Sequence, residues 1–124
     1  MEPLNWTATL AGTVAAFLAG WLIYSPALFG RAWALGSGVN PEPPEKLPLA
    51  PMALQLIALL LLAVVVGMTA QTEALFTAIA AILAGAALVM AQDAFSGKSG
   101  AAIAIDGAFV VLSGILMIAA QAVF

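Results

Sequence analysis

Apolar residues fall into four long runs that are separated by short polar stretches. The runs cover about residues 6–24, 52–69, 73–91 and 101–124. A helix rises about 1.5 Å per residue, so runs of roughly 20 residues match the ~30 Å hydrocarbon core of a bilayer. The pattern therefore predicts an all-α integral membrane protein, in which four transmembrane helices form a single bundle over residues 1–124.

Proline and glycine mark the breaks between these runs. Ser25 precedes Pro26 and ends the first span, because a residue before proline disfavours the helical conformation. The sequence ALFGRAWAL then predicts a short amphipathic segment in the plane of the lipid headgroups. Residues 36–51 contain five prolines and predict an extended, solvated loop. Only a few residues near 70–72 join the second and third spans, which predicts an antiparallel helical hairpin.

The composition narrows the classes of function. The chain is 65% hydrophobic and 7% charged, so lipid must be its main solvent and partner. Its net charge of −3 disfavours nucleic acid as a partner. It has no cysteine and no histidine, which removes disulfides, imidazole bases and most transition-metal sites. Because catalytic and phosphate-binding motifs are missing too, we predict no metal, no cofactor and no enzymatic activity.

The three cations predict how the chain is oriented in the membrane. Four spans place both termini on one side, and Arg31, Lys46 and Lys98 together on the other. Cytoplasmic loops carry an excess of lysine and arginine. Loops 25–51 and 93–100 are therefore predicted to be cytoplasmic, with both termini outside.

Small residues predict where helices approach each other closely. Gly12, Ala16 and Gly20 share one face of the first span, and Gly107 and Gly114 lie on the polar face of the fourth. Such spacing lets helix backbones come close where lipid offers no hydrophobic drive to associate. Packing within the chain and contact with a second copy or another subunit both fit this pattern.

Asp106 is the main candidate for a polar site inside the membrane. Together with Ser113 and Gln121 it lies on one third of the circumference of the fourth span, which indicates that it faces protein rather than lipid. A functional interpretation makes it a relay site for protons or cations. A structural interpretation makes it a carboxylate capped by Ser113, or paired with Lys98 or Arg31.

Two further sets of residues could carry interactions. Asp93 and Lys98 lie five residues apart across a Gly/Ser turn, where an ion pair could fasten the turn or face water. Arg31 stands between Phe29 and Trp33, where it could bind a lipid phosphate or the carboxylate of a partner, or simply anchor the segment at the interface.

Two stretches carry a resemblance to a known family. WLIYSPALFGRAW, residues 21–33, contains an aromatic–Tyr–Ser/Gly–Pro–x–x–Phe–Gly–Lys/Arg–x–Trp signature, matched by Tyr24, Ser25, Pro26, Phe29, Gly30, Arg31 and Trp33. A Phe–x–Gly–Lys/Arg–Ser turn before the last span is matched by Phe95, Gly97, Lys98 and Ser99. The chain thus resembles a bacterial family of small membrane proteins called domain of unknown function 1761. It departs from the pattern at Ile23 and at Gln92–Asp93. The resemblance implies four helices and a bacterial inner membrane, and it implies no activity.

Two functions remain as alternatives at this point. The first is an accessory or assembly subunit that packs against a larger membrane complex, such as a respiratory or photosynthetic one, or against copies of itself. The second is a small dimeric transporter or ion channel that uses Asp106 as its intramembrane carboxylate. They differ in whether Asp106 faces a water-filled cavity or a packed interior.

Overall fold

A computed structural model describes residues 3–42 and 46–124 of the chain. Within these residues it has no strands and contains the helices α1 (Trp6–Ile23), α2 (Gly30–Gly36), α3 (Leu49–Gln71), α4 (Leu75–Phe95) and α5 (Gly100–Val123). The four longer helices are each long and apolar enough to cross a membrane. The predicted fold class is confirmed: four spans, with a short helix after the first.

The ends of the second and third spans differ from the prediction. α3 begins at Leu49 instead of residue 52, and Pro51 fits its first turn because a backbone N–H there has no partner within the helix. α4 begins at Leu75 instead of residue 73 and continues to Phe95 instead of residue 91. The predicted turn at 93–100 therefore shrinks to residues 96–99, and Asp93 belongs to α4. Residues 43–45 of the predicted proline loop lie outside the described residues.

The link between α3 and α4 is held by backbone geometry. Glu73 has φ of 55°, in the left-handed region, which costs a non-glycine residue about 1–2 kcal/mol. The Ala74 N–H donates to the Thr69 carbonyl at 2.8 Å and closes the turn. α3 and α4 therefore form the predicted hairpin, but Glu73 lies in its turn and does not begin the third span.

α5 lies at the centre of the bundle. It contacts α1, α2, α3 and α4, while α1 also contacts α3, and α3 contacts α4. Its buried residues are Ala102, Asp106, Gly107, Phe109, Ser113, Gly114 and Met117. The face that carries the polar residues and glycines of this span is thus the face that packs against the other helices.

The small-residue face of α1 packs against α5 of the same chain. Gly12, Ala16 and Gly20 are all buried. A Cβ added at Gly20 would stand 2.7 Å from a ring carbon of Phe109, and one added at Gly12 would stand 3.1 Å from the Cα of Met117. Because any larger residue would push these helices apart, the close approach of α1 and α5 depends on glycine.

The glycines of α5 serve its contact with α4 in the same way. Gly107 lies under the side chain of Met90, and Gly114 lies under Ile82. The outer faces of α3 and α4 are apolar and exposed, with Leu54 at 67% and Phe76 at 86% of full exposure. In a bilayer these outer faces contact lipid or a partner, whereas the predicted glycine faces are covered by the chain's own helices.

Candidate functional site

The start of α5, the end of α4, the end of α1 and α2 meet at one end of the bundle. The Ser99 side chain begins α5 by accepting a hydrogen bond from the Ala102 N–H at 3.2 Å. The Ser99 N–H in turn donates to the Gly36 carbonyl at the end of α2, at 2.9 Å. This bond fixes α2 to the turn at 96–99, so residues from all four helices lie close together.

Five side chains at this end form what we call the charged cluster: Tyr24, Trp33, Asp93, Lys98 and Asp106. Asp106 lies six residues after the first residue of α5, at a depth of about 9 Å along the helix. Asp93 comes two residues before the end of α4. Only 7% of Asp93 and 8% of Asp106 is exposed, so both carboxylates are buried inside the protein.

Lys98 bridges the two carboxylates. Its Nζ lies 3.4 Å from Oδ1 of Asp93 and 3.6 Å from Oδ2 of Asp106. The same nitrogen stands 5.1 Å from the centroid of the Trp33 ring, within range of a cation–π interaction. One cation from the turn therefore joins a carboxylate of α4, a carboxylate of α5 and an aromatic ring of α2.

Tyr24 closes the cluster from the side of α1. It follows the last residue of α1, and its hydroxyl donates to Oδ1 of Asp106 at 2.5 Å. Its ring packs edge-on against Trp33 and Phe109, with centroid distances of 5.5 and 5.6 Å. Burial, and then the bond to Asp106, raises the pKa of the Tyr24 hydroxyl, which keeps it protonated as a donor.

Some polar atoms near this end have no hydrogen-bond partner among the described residues. They are Oδ2 of Asp93, Nε1 of Trp33 and Oγ of Ser37, and all three are buried. The carboxyl groups of Asp93 and Asp106 approach each other at the Lys98 ammonium, which lies 3.4 and 3.6 Å from their oxygens. Two ionised carboxylates offer only acceptors, so neither can donate a hydrogen bond to the other.

The residues predicted to form one polar site along α5 lie apart. Ser113 is fully buried, but its hydroxyl donates to the Phe109 carbonyl of its own helix at 2.8 Å and does not cap Asp106. Gln121 lies at the opposite end of the bundle, where its Nε2 donates to Oγ1 of Thr9 at 3.4 Å. Asp106 is thus held by Tyr24 and Lys98, and the predicted set of Asp106, Ser113 and Gln121 is not a single site.

The predicted ion pair between Asp93 and Lys98 is present, but its surroundings differ from the expectation. Its carboxylate does not face water, because α4 continues beyond residue 91 and carries Asp93 into the bundle, while Lys98 stays partly exposed. Arg31 and Phe29 are exposed on the outside of α2, whereas the Trp33 indole turns inward onto Lys98. Of these three residues, Trp33 therefore belongs to the charged cluster, and Phe29 and Arg31 belong to the outer surface.

The role of Tyr24 in the charged cluster was not predicted from the sequence. Tyr24 is the single tyrosine of the chain and follows a span, a position that fits an interfacial aromatic equally well. The predicted topology does place Tyr24 and Asp106 at the same end of the bundle, because the first span ends and the fourth begins on the same side of the membrane. Whether the two side chains touch depends on how α1 packs against α5, which the topology does not specify.

Two of the cavities among the described residues are not lined by a carboxylate of the charged cluster. One, of about 200 Å³, lies at the opposite end between α3, α4 and α5, and is lined in part by Thr69, Glu73 and Gln121. The other, of about 190 Å³, has an apolar lining of Ile23, Phe29, Ala104, Ile105 and Ala108. Asp93 and Asp106 instead lie in packed surroundings. Among the described residues, no three metal-ligating side chains lie together.

Comparison with known proteins assigns the chain to a family but does not give it a function. A sequence model of the family described as "protein of unknown function (DUF1761)" matches residues 7–121, and so confirms the resemblance seen in the two motifs. No curated protein and no solved structure matches the chain.

Proposed function

Because the chain belongs to the DUF1761 family of proteins of unknown function, we propose its role from its own geometry: it is an accessory or assembly subunit. In this proposal it sits in the inner membrane of a bacterium and packs against a larger membrane protein or a second copy of itself. The charged cluster faces the cytoplasm, since Arg31, Lys46 and Lys98 all belong to that side. The proposal includes no catalysis, metal, cofactor or nucleic acid.

One observation carries this proposal: the buried charges are used in contacts within the chain. Asp106 accepts from Tyr24 and pairs with Lys98, and it is 8% exposed. A transport carboxylate must be reached from an aqueous pathway, and intramembrane charges that line such a pathway face a cavity. Neither of the two cavities contains Asp106. The cluster therefore fits a role in holding four helices in one arrangement.

In this proposal the partner binds the outer side of α2, around Phe29 and Arg31. Gly12, Gly20 and Gly114 are occupied by the chain's own side chains, so they are not free for docking. Phe29 is 50% exposed and Arg31 is exposed beside it. An exposed aromatic next to an arginine suits contact with another protein's carboxylate at the membrane interface.

Gentle native extraction through an affinity tag, followed by mass determination of the intact complex, tests this proposal. We expect a larger membrane protein, or a second copy, in fixed stoichiometry with the chain. A double variant, Phe29→Ala with Arg31→Gln, should lose that partner. Phe76→Ala is the matched control, because Phe76 is 86% exposed at the opposite end of α4. A monomer in the native membrane extract, or loss of the partner in the control alone, would contradict the proposal.

A second candidate is the small dimeric transporter or channel with Asp106 as its carboxylate. It is favoured by two buried carboxylates and a half-buried lysine in one cluster of a chain that is only 7% charged. Its test is ion or proton flux in vesicles that contain the purified protein. Flux that disappears in Asp106→Asn but persists in Glu73→Gln would support transport over assembly.

A further inference from the structure

The charged cluster is not electrically balanced. It brings two carboxylates, Asp93 and Asp106, against one ammonium, Lys98, and so carries one uncompensated negative charge when all three are ionised. The groups facing it from the other helices do not supply the missing charge. α1 contributes the neutral Tyr24, α2 contributes Trp33 with Arg31 exposed to the outside, and α3 contributes no charged group among the described residues.

The geometry also shows where a further charge is missing. Oδ2 of Asp93 is buried and has no hydrogen-bond partner among the described residues, and Asp93 as a whole is more than nine-tenths buried. The other oxygens have contacts: Oδ1 of Asp93 and Oδ2 of Asp106 face Lys98, and Oδ1 of Asp106 accepts from Tyr24. The two carboxyl groups meet at the same ammonium, 3.4 and 3.6 Å from Lys98 Nζ, and each offers the other only acceptors when ionised. One proton would supply the missing donor and the missing positive charge.

We propose that Asp93 and Asp106 form a proton-binding site that holds one shared proton at neutral pH. The proton converts the contact between two like charges into a hydrogen bond between a carboxylic acid and a carboxylate. It also makes the cluster neutral, which removes the cost of an unpaired charge on two buried carboxylates. The inference does not depend on the proposed assembly role.

A proton fits this site better than a metal cation does. The Lys98 ammonium already lies against both carboxylates, so a metal ion would be placed beside a positive charge. Hard metal cations also take six or more oxygen ligands, so water or other groups would have to supply those that two carboxyl groups do not. The shared proton ties the end of α4 to α5. Its loss at high pH restores the repulsion between the carboxylates and loosens α4 at this end.

Aspartate-selective labelling gives a direct measurement, because Asp93 and Asp106 are the two aspartates in the whole chain. The protein is labelled with carbon-13 at the aspartate side-chain carboxyl and reconstituted in phosphatidylcholine vesicles. Carboxyl carbon shifts are then followed by solid-state NMR as a function of pH. At neutral pH we expect one bound proton for the pair, as one acid and one carboxylate signal or as two averaged signals. Two fully ionised signals, or two fully protonated ones, would overturn the proposal.

Single substitutions distinguish a shared proton from one lone buried acid. In Asp93→Asn or Asp106→Asn, the remaining carboxylate has Lys98 to itself, so both variants should lose the protonated signal at neutral pH. A protonated signal that persists in either variant would refute sharing. Glu73→Gln, at the opposite end, is the control and should leave both aspartate signals unchanged. If a variant does not fold, the wild-type titration still decides whether the pair holds one proton at neutral pH, and it requires no partner protein.

Discussion

The two ends of the bundle are held together by different means. At the cluster end, Lys98 joins α4 and α5 through two carboxylates, and Tyr24 ties α1 to the same group. At the termini end, where α1 begins and α5 ends, the side-chain hydrogen bond that joins α5 to α1 among the described residues is the long one from Gln121 to Thr9, at 3.4 Å. The turn between α3 and α4 lies beside a cavity of about 200 Å³ at that end. The polar contacts between helices are thus strong at one end and weak at the other.

This difference shows which contacts fix the relative positions of the helices in an apolar bundle. In lipid, apolar side chains pack almost as well against acyl chains as against each other, so they define helix positions poorly. α3 and α4 illustrate this, because few of their residues are buried and most of their surface is apolar and exposed. A buried charge tolerates few positions, since each displacement removes a partner. We therefore expect substitutions at the cluster end to disturb the structure more than those at the termini end.

Lys98→Met should cause the largest loss in the free energy of unfolding. It keeps the length of the side chain but removes the cation shared by Asp93 and Asp106, leaving two buried carboxylates without a counter-charge. Breaking a buried pair in this way costs about 3 kcal/mol of unfolding free energy. Unfolding in mixed micelles with increasing sodium dodecyl sulfate measures the loss.

The control for that experiment is Lys46→Met, which changes the chain's other lysine in an exposed part of the loop. It should alter the free energy of unfolding by less than about 0.5 kcal/mol. Equal effects of the two lysine substitutions would show that the charged cluster does not hold the helices, and would remove the distinction between the ends.

Gly20→Ala should cause the next largest loss in the free energy of unfolding. It tests the packing at the cluster end, where Lys98→Met tests the charges. The new Cβ would lie 2.7 Å from the Phe109 ring, and that ring is itself held edge-on by Tyr24. We expect a loss of about 1–2 kcal/mol, because overpacking outweighs the better helix propensity of alanine. Phe109→Leu in the same chain should restore much of the loss by making space.

The matching change at the termini end is Gly67→Ala. Its Cβ would stand 2.7 Å from the end of the Leu4 side chain, 2.8 Å from Oγ1 of Thr9 and 3.1 Å from the Gln121 amide. Thr9 is buried, but the Leu4 and Gln121 atoms are ends of flexible side chains that can move away. Its cost should therefore be smaller than that of Gly20→Ala in the same unfolding experiment. A larger cost at Gly67 would contradict the view that the termini end is the more adaptable one.

Much of the fold could be predicted from the sequence because lipid makes the pattern simple. Runs of about 20 apolar residues correspond to spans, and the small-residue face of α1 and the polar face of α5 correspond to buried faces. Boundaries were less predictable. α4 continues to Phe95 because nothing between Ala91 and Phe95 disfavours a helix, although polar residues suggested a turn.

The candidate site was only partly predictable for a different reason. Asp106 and the pair of Asp93 and Lys98 stand out as charges in an apolar chain, but the sequence pattern treats them as two separate features. Joining them requires α4 and α5 to pack at one particular rotation, which depends on Gly107 under Met90 and Gly114 under Ile82. Tyr24 joins them only once α1 is packed on α5. Contacts between helices of this kind follow from shape, and no single helical pattern contains that information.

Gln121→Leu is the smallest expected change and the most direct test of the termini end. The substitution removes the amide that donates to Thr9, but the lost bond is long, and Thr9 keeps its own hydrogen bond to the Asn5 carbonyl at 2.8 Å. Hydrogen bonds between membrane helices contribute about 0.6 kcal/mol on average, so the free energy of unfolding should fall by no more than that. Leucine also adds apolar surface beside the cavity that Gln121 lines, which offsets part of the loss. A loss as large as that of Lys98→Met would mean that both ends are fixed by polar contacts, and that the cavity marks no looser region.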